Sequence, residues 1–379
     1  MIENTFITMQ KIPFNKPYLS GKETSYIEDA VASGKISGNG KYTQLCHQFF
    51  TENYGFKKAL LTTSCTDALE MCALLLDIKT GDEVIMPSYT FVSTALAFVR
   101  QGAKIVFVDS RNDHPGIDEN TIEDLVTPKT KAIVAVHYAG VACDMDKIMD
   151  IGKRYNLFVV EDAAQSIDSY YTGKSSIKKP LGSIGHLGTF SFHETKNIQC
   201  GEGGMLAVND EQFLKRAEII WEKGTNRAQF FRGEVNKYGW VDIGSSFLPS
   251  ELNAAFLYAQ LENMENIQNR RKEIWQWYDK HVEELWRGEY KFSKPVIPDY
   301  ATNNGHMYYL IFEEADERSR FIKDMKSKNI HPVFHYLSLH KSDFYSNKHD
   351  GEALPNSDRY TECLLRLPFY YELDLSRIN

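Results

Sequence analysis

The stretch with the sharpest chemical meaning is Gly188-Thr189-Phe190-Ser191-Phe192-His193-Glu194-Thr195-Lys196-Asn197, which runs into Gly201-Glu202-Gly203-Gly204. A single lysine stands there between a short β-rich run and a glycine cluster, where the chain must bend sharply. Upstream, Leu157-Phe158-Val159-Val160-Glu161-Asp162-Ala163-Ala164-Gln165 is a run of buried β-formers that ends in an acid. This places Asp162 at the carboxyl end of a strand, where open α/β sheets hold their ligands. An amine such as that of Lys196 can form a Schiff base with an aldehyde, and a carboxylate can keep a ring nitrogen protonated so that the ring accepts electrons. Those are the two requirements of pyridoxal 5'-phosphate, PLP. Lys196 alone would say little, because most of the 43 Lys and Arg residues are solvated surface charges.

The elements that must carry these residues follow from periodicity. Ala59 to Thr63, Glu83 to Met86, Lys104 to Val108, Lys131 to Val136 and Leu157 to Val160 read as strands. Thr66 to Leu76, Val92 to Arg100 and Met145 to Tyr155 read as intervening helices. The alternation predicts an α/β fold with right-handed crossovers and a mainly parallel sheet covered on both faces. Its strand ends carry Thr63-Ser64-Cys65-Thr66, a candidate anion cradle at a helix start, and Tyr89, an aromatic ring for a planar ligand. They also carry His137-Tyr138-Ala139-Gly140, where His137 reads as structural.

Earlier in the chain, Glu23 to Ser33 and Tyr42 to Tyr54 read as helices around the turn Ser37-Gly38-Asn39-Gly40. Later, Glu211 to Lys223 reads as a helix, Asn226 to Trp240 as a long polar and aromatic loop, and Ser250 to Asn269 as one helix linking two domains. His306 to Phe312 and Pro332 to His335 read as strands of a smaller α+β unit. The expected boundaries are 13–250 for a large domain with the N-terminal segment, and 251–379 for the linking helix and small C-terminal domain.

At 379 residues the chain is long for one core. A net charge of −8 without a basic, aromatic-interleaved cluster argues against nucleic acid. The six cysteines show no metal spacing and read as reduced thiols, and no run of eighteen apolar residues or signal-like start occurs. A soluble cytoplasmic protein without membrane partners is the expectation.

Taken together, Glu161-Asp162-Ala163-Ala164-Gln165, Ser191 to Asn197 and Gly201 to Gly204 resemble the DegT-type PLP-dependent nucleotide-sugar aminotransferases, of fold type I, over essentially the whole chain. Ser64-Cys65-Thr66, Val136 to Cys143 and Lys223-Gly224-Thr225-Asn226-Arg227 resemble the branch acting on dTDP-4-keto-6-deoxyglucose, of the WecE/RffA kind used for enterobacterial common antigen.

The resemblance implies that Lys196 carries the cofactor and moves the proton. It also implies that Asp162 pairs with the pyridine nitrogen, Gln165 bonds near the ring hydroxyl, Tyr89 stacks on the ring, and Cys65, Thr66 and Ser191 hold the phosphate. His193, Arg227, Arg232 and His335 are the implied substrate contacts, glutamate the implied amino donor, and a homodimer with shared active sites the implied assembly. Two departures stand out. Relatives carry Gly-Tyr-Asn-Tyr-Arg where this chain reads Gly244-Ser245-Ser246-Phe247-Leu248, so either Ser246 replaces, with a weaker contact, an asparagine that in relatives reaches the neighbouring subunit's phosphate, or that contact is lost. Relatives also continue into a closing helix beyond the equivalent of Leu367-Pro368-Phe369-Tyr370, and its lack is expected to cost the small domain stability.

Sugar dehydration is disfavoured, because relatives that dehydrate replace the lysine with histidine. The product's galacto or gluco configuration, C-4 or C-3 amination, and the glycan served, O-antigen or common antigen, stay open. A non-catalytic sugar-nucleotide-binding protein on the same scaffold is the reading from another class.

Overall fold

The computed structural model describes residues 11–378. Two helices open the chain, α1 (Glu23–Ala32) and α2 (Lys41–Tyr54). Alternation follows: β1 (Lys58–Thr62), α3 (Cys65–Leu75), β2 (Glu83–Pro87), α4 (Val92–Val99), β3 (Lys104–Val108), β4 (Thr130–Val136), α5 (Met145–Tyr155) and β5 (Phe158–Asp162). A small hairpin, β6 (Tyr170–Thr172) and β7 (Lys178–Pro180), precedes β8 (Leu187–Ser191) and β9 (Gly204–Val208). Seven of these strands form one sheet in the order β1-β9-β8-β5-β4-β2-β3, parallel except for β9, which runs antiparallel to both its neighbours.

Pleating divides each strand between two faces. Leu60, Val84, Met86, Ala132, Val134 and Val160 pack with α3, α4 and α6 (Leu214–Trp221). Ala59, Leu61, Phe190 and Met205 face the opposite way, onto α2 and α8 (Glu251–Glu262), while Ile85, Ile133 and Val159 meet α5. This is the three-layer α/β architecture of fold type I, with apolar runs because both faces are covered.

Between α6 and α8 lies a short helix, α7 (Arg227–Phe231), inside the stretch expected as a loop. The expected single helix from Ser250 to Asn269 is two: α8 ends at Glu262, and α9 (Met264–Trp286) starts after Asn263. The remaining elements are β10 (Phe292–Ser293), β11 (Tyr309–Phe312), α10 (Ala315–Ser327), β12 (Val333–Phe334), α11 (Pro355–Cys363) and β13 (Leu364–Arg366). They build an antiparallel sheet ordered β10-β11-β13-β12, packed on α9 and α10 through Ile274, Tyr278, Phe312, Phe321 and Leu365. The N-terminal segment joins this unit: the Ile12 amide donates to Asn329 O at 2.9 Å and the His331 amide to Ile12 O at 3.1 Å.

Glu251 ties the first helices to α8. Its buried carboxylate accepts from the amides of Gly40 (2.8 Å), Tyr42 (2.7 Å) and Thr43 (3.2 Å) and from the Thr43 hydroxyl. An anion there satisfies amides at the start of α2 that have no intrahelical acceptor and meets the positive end of its dipole. Glu251→Ala is expected to cost about 2–4 kcal/mol, by stranding buried donors. A urea midpoint indistinguishable from wild type would contradict this.

Candidate active site

The carboxyl ends of β1, β2, β4, β5 and β8 converge on one recess. α3 begins there with Ser64, an extended residue whose Oγ accepts from the Asp67 amide at 3.1 Å. The first-turn amides of Cys65 and Thr66 therefore point outward without intrahelical partners, at the positive end of the dipole. Gly204 at the start of β9 lies against this turn: a Cβ added there would sit 2.3 Å from the Ser64 carbonyl carbon and 2.4 Å from the Cys65 nitrogen. Only glycine permits β9 to press on the α3 start so closely. The Thr66 hydroxyl lies 2.7 Å from that of Ser93 in the first turn of α4, which brings the two helix starts together.

Asp162 ends β5 and is buried. Its Oδ2 accepts from the Thr94 hydroxyl at 2.7 Å and its Oδ1 from the Ala164 amide at 3.2 Å, so the carboxylate is fixed in orientation. Burial raises its pKa, against the lowering effects of those hydrogen bonds and of the Lys196 charge. Its neighbour Glu161 faces the other side of the sheet, where it accepts from the amides of Gly182 (2.8 Å), Ile184 (2.6 Å) and Gly185 (2.6 Å) and pairs with His137 Nε2 at 2.9 Å. His137 is thus part of the support beneath the strand ends.

Lys196 follows a tight turn in which its amide donates to His193 O at 2.8 Å. Walls on several sides desolvate its amine and lower its pKa, while the nearby Cys65 and Asp162 oppose the shift. The loop is anchored next door. Asn197 Nδ2 donates to Gln268 Oε1 (2.9 Å) and Asn304 O (3.0 Å), and its Oδ1 lies 2.7 Å from His306 Nδ1. Gln165 accepts from the Ala139 amide at 2.6 Å and donates to the Tyr336 hydroxyl at 2.9 Å. Ala139 and Tyr336 both hold positive φ, 58° and 44°. A non-glycine residue pays for that conformation, and pairs of this kind gather where a side chain must be aimed.

Several expected contacts lie elsewhere. Tyr89 is 0% exposed, its hydroxyl donates to His335 O at 2.6 Å, and its ring is enclosed by Tyr138, Tyr336 and Tyr360. It has no face left for a ligand. Phe91, two residues on at the start of α4, is 56% exposed and lies 5.9 Å from the Tyr336 ring. It is the aromatic that the recess presents. His335 is buried, with Nδ1 2.7 Å from the Tyr138 hydroxyl and its ring stacked at 3.5 Å on Tyr336. Burial drives its pKa well below the usual histidine value, so it stands as a neutral ring beneath Tyr336.

Arg232 donates to Glu218 (2.9 and 3.1 Å) and to Glu234 (2.6 Å). Glu218 also pairs with Lys58, which opens β1, whereas Cys65 follows the far end of that strand. The chain's own recess is therefore at the other end from Arg232. Arg227 lies over the Phe231 ring at 5.2 Å, within its own short helix. Ser191 is half-buried, and its Oγ accepts from the His193 amide at 3.4 Å; His193 Nδ1 lies 2.9 Å from the Thr195 hydroxyl. Ser246 is exposed, and the carbonyl of the adjacent Phe247 accepts from the Thr63 amide at 3.0 Å, which puts this segment alongside the α3 start.

A helix start whose first-turn amides lack intrahelical partners, a buried oriented carboxylate and a desolvated amine suit the phosphate, ring nitrogen and aldehyde of PLP. Fold and recess together are those of a PLP-dependent aminotransferase. More particularly, the chain belongs to the DegT/DnrJ/EryC1/StrS aminotransferase family, whose model matches residues 17–379. It is 32% identical over 378 residues to the uncharacterized protein MJ1066 of Methanocaldococcus jannaschii, covering 98% of this chain and 94% of that one. Among solved structures it is similar to the aminotransferase TlmJ of Streptoalloteichus hindustanus, with a TM-score of 0.87 at 26% identity over 97% and 96% of the two chains. It is also similar to the PLP form of Spr1654 of Streptococcus pneumoniae, with a TM-score of 0.86 at 25% identity over 97% and 96%. Among the described residues no helix is long and apolar enough to cross a membrane, and no cluster of His, Cys, Asp and Glu could hold a metal ion.

Proposed function

We propose that the protein moves an amino group from glutamate to the keto carbon of a dTDP-linked 4-keto-6-deoxyhexose, giving dTDP-4-amino-4,6-dideoxygalactose. The observation that carries the transaminase chemistry is the meeting of Lys196 and Asp162 in one recess beside the α3 start. The substrate rests on the resemblance of Ser64-Cys65-Thr66, Val136 to Cys143 and Lys223 to Arg227 to the WecE/RffA kind. Spr1654, described as a sugar aminotransferase, supports a sugar acceptor.

In this reading the amides of Cys65 and Thr66, with the Thr66 and Ser191 hydroxyls, hold the phosphate. Asp162, aimed by Thr94 and Ala164, balances the charge on the ring nitrogen; Gln165 meets the ring hydroxyl, and Phe91 covers one ring face. Bound there, PLP supplies an aldehyde for the amine and a ring that accepts electrons. Lys196 Nζ takes the proton from the reacting carbon of the substrate and returns it two atoms away, on the cofactor's aldehyde-derived carbon across the intervening nitrogen. Its lowered pKa increases the neutral fraction at pH 7, which is the form that accepts a proton.

His193, at the rim, contacts the sugar nucleotide. Arg227, Arg232 and Ser246 serve a neighbouring subunit's site in a homodimer. Exposed apolar side chains in that region, Phe231, Ile243 and Trp240 (85% exposed), support such an interface. Delivery of the product to a surface glycan such as O-antigen or common antigen, and a cytoplasmic setting, belong to the same reading.

Incubation with glutamate and dTDP-4-keto-6-deoxyglucose, with the product resolved by NMR, tests the substrate. An axial amine at C-4 is expected. An equatorial C-4 amine, or turnover confined to a 3-keto isomer, would replace the proposed product.

The two aromatics separate cleanly. Phe91→Ala is expected to raise the PLP dissociation constant about tenfold, the worth of one ring contact. Tyr89→Phe should lower the melting midpoint through its lost bond to His335 O and leave cofactor affinity unchanged. The reverse pattern in a cofactor titration would restore Tyr89 as the stacking ring.

A further inference from the structure

The loop that carries Lys196 changes its fastening at the lysine itself. Before it, backbone bonds close the turn: the Lys196 amide donates to His193 O and the Glu194 amide to Gly201 O, both at 2.8 Å. After it, Asn197, Ile198 and Gln199 make no backbone–backbone bond among the described residues, until the Cys200 amide donates to Phe192 O at 2.8 Å. The main chain that leaves Lys196 is therefore held through side chains, and the first of these is the buried Asn197.

Its partners form a hydrogen-bond chain with one direction. Both hydrogens of the Asn197 amide are committed, to Gln268 Oε1 (2.9 Å) and Asn304 O (3.0 Å), so its oxygen accepts from His306 Nδ1 at 2.7 Å. Gln268 in turn donates to Asn304 O (3.2 Å) and to Asp168 Oδ2 (3.2 Å), and Lys272 Nζ holds the same Asp168 oxygen at 2.7 Å. Reading outward, His306 gives to Asn197, Asn197 to Gln268, and Gln268 to a half-buried carboxylate. Donors meet acceptors at each step only when His306 carries its proton on Nδ1. Burial, with the charges of Lys196, Arg271 and Arg366, holds the His306 pKa well below the usual histidine range, so the ring is neutral.

Two further contacts fix the frame. Arg271, beside Lys272 on α9, donates to Gly305 O (2.9 Å) and His306 O (2.6 Å). Asn304 donates to Gln165 O and Ile167 O, both at 2.8 Å, and accepts from the His306 amide at 3.0 Å. Asn197, Gln268, Asn304 and His306 are 0–6% exposed, in a place that apolar side chains would fill without desolvation. What the polar chain supplies is one arrangement, because turning any member strands buried donors or acceptors.

We propose that His306, Gln268 and Asp168 are positioning residues for the reaction: through Asn197 they fix the direction in which Lys196 leaves its turn, and so where its Nζ stands. The role of Lys196 rests on the aminotransferase reading above, and the chain rests on hydrogen bonds alone.

Two measurements test the two parts. In nitrogen NMR of the cofactor-free protein with isotope-labelled histidine, the signals lost in His306 variants are expected to show a neutral ring protonated on Nδ1 across about pH 6 to 8. A proton on Nε2, or a ring that titrates in this range, overturns the chain. The second compares wild type with His306→Phe, which keeps a ring and loses the donor, and His306→Asn, whose side-chain nitrogen stands near the place of Nδ1. Capture of PLP by the cofactor-free proteins is followed by absorbance against pH. A loosened Lys196 regains hydration, so the pH of half-maximal capture rate in His306→Phe is expected to rise by about half a unit or more. Its single-turnover rate with saturating L-glutamate should fall about tenfold or more, with an apparent Kd within about twofold of wild type. His306→Asn should recover most of both effects. Gln268→Met breaks the chain one step further out, should follow His306→Phe in direction, and serves if that variant fails to fold. Lost activity with an unmoved pH midpoint would mean general disruption, failure of His306→Asn to recover would mean that the ring and not its donor matters, and unchanged variants would leave the chain without a catalytic role. Each overturns the proposal. If wild type captures no PLP, the aminotransferase reading falls and the positioning role with it, while the ring's tautomer still tests the chain.

Discussion

Lys196→Ala is expected to lower turnover roughly a thousandfold or more, because it removes both the covalent partner of the cofactor and the group that carries the proton. The folded structure should hardly notice. Lys196 lies in a turn fixed by Asn197 and by its own backbone, and burial already disfavours its charged form. The melting midpoint of the cofactor-free variant should therefore equal or exceed that of wild type. PLP should bind without the absorbance of a lysine adduct. A variant that keeps a tenth of wild-type turnover would exclude Lys196 from the chemistry, and circular dichroism would show whether a lost activity reflects lost structure.

The second large effect is that of Asp162→Asn. The amide's single oxygen can still accept from the Ala164 amide while its NH2 donates to the Thr94 hydroxyl oxygen, but it cannot balance a protonated ring nitrogen, and each pKa unit lost there is worth about 1.4 kcal/mol. Turnover is expected to fall roughly a hundredfold, the scale of one preorganised electrostatic contact. Stability should move the other way. Burial holds the folded pKa of Asp162 above its unfolded value, so the native state binds the extra proton in between. The stability associated with that proton is present at low pH and is lost as pH rises through the folded pKa. Without cofactor, Asp162→Asn should therefore gain on wild type as pH rises from about 4, then level off. Thermal melts of the cofactor-free proteins across this range check the sign. Parallel losses of stability and activity would mean that Asp162 is structural.

Much of this was legible in the residues. Strands Lys104–Val108 and helix Met145–Tyr155 have the bounds that periodicity gives, because β-branched runs and an amphipathic stripe are strong local signals. β9 was not legible: Gly204-Met205-Leu206-Ala207-Val208 is short, begins in a glycine cluster, and pairs antiparallel where the surrounding pattern implies parallel neighbours. The break at Asn263 carries no Gly or Pro to mark it, so the two helices α8 and α9 read as one.

The recess shows the same division. Lys196, Asp162, Gln165 and the Cys65–Thr66 turn stand at strand ends, a position that sequence reports well. Which of Tyr89 and Phe91 offers its ring depends on where the chain leaves the pleat and enters α4, a choice that two-residue spacing cannot make. His335 follows β12 of the small sheet, whose docking onto the strand ends is a long-range fact.

The most direct test is to record the visible absorbance of the purified, PLP-loaded protein, add L-glutamate, and then add dTDP-4-keto-6-deoxyglucose. A band that glutamate removes and the keto sugar restores is expected. A band restored by other keto sugars but not by this one would retain the aminotransferase and discard the acceptor, and a protein that binds no PLP at all would contradict the central claim.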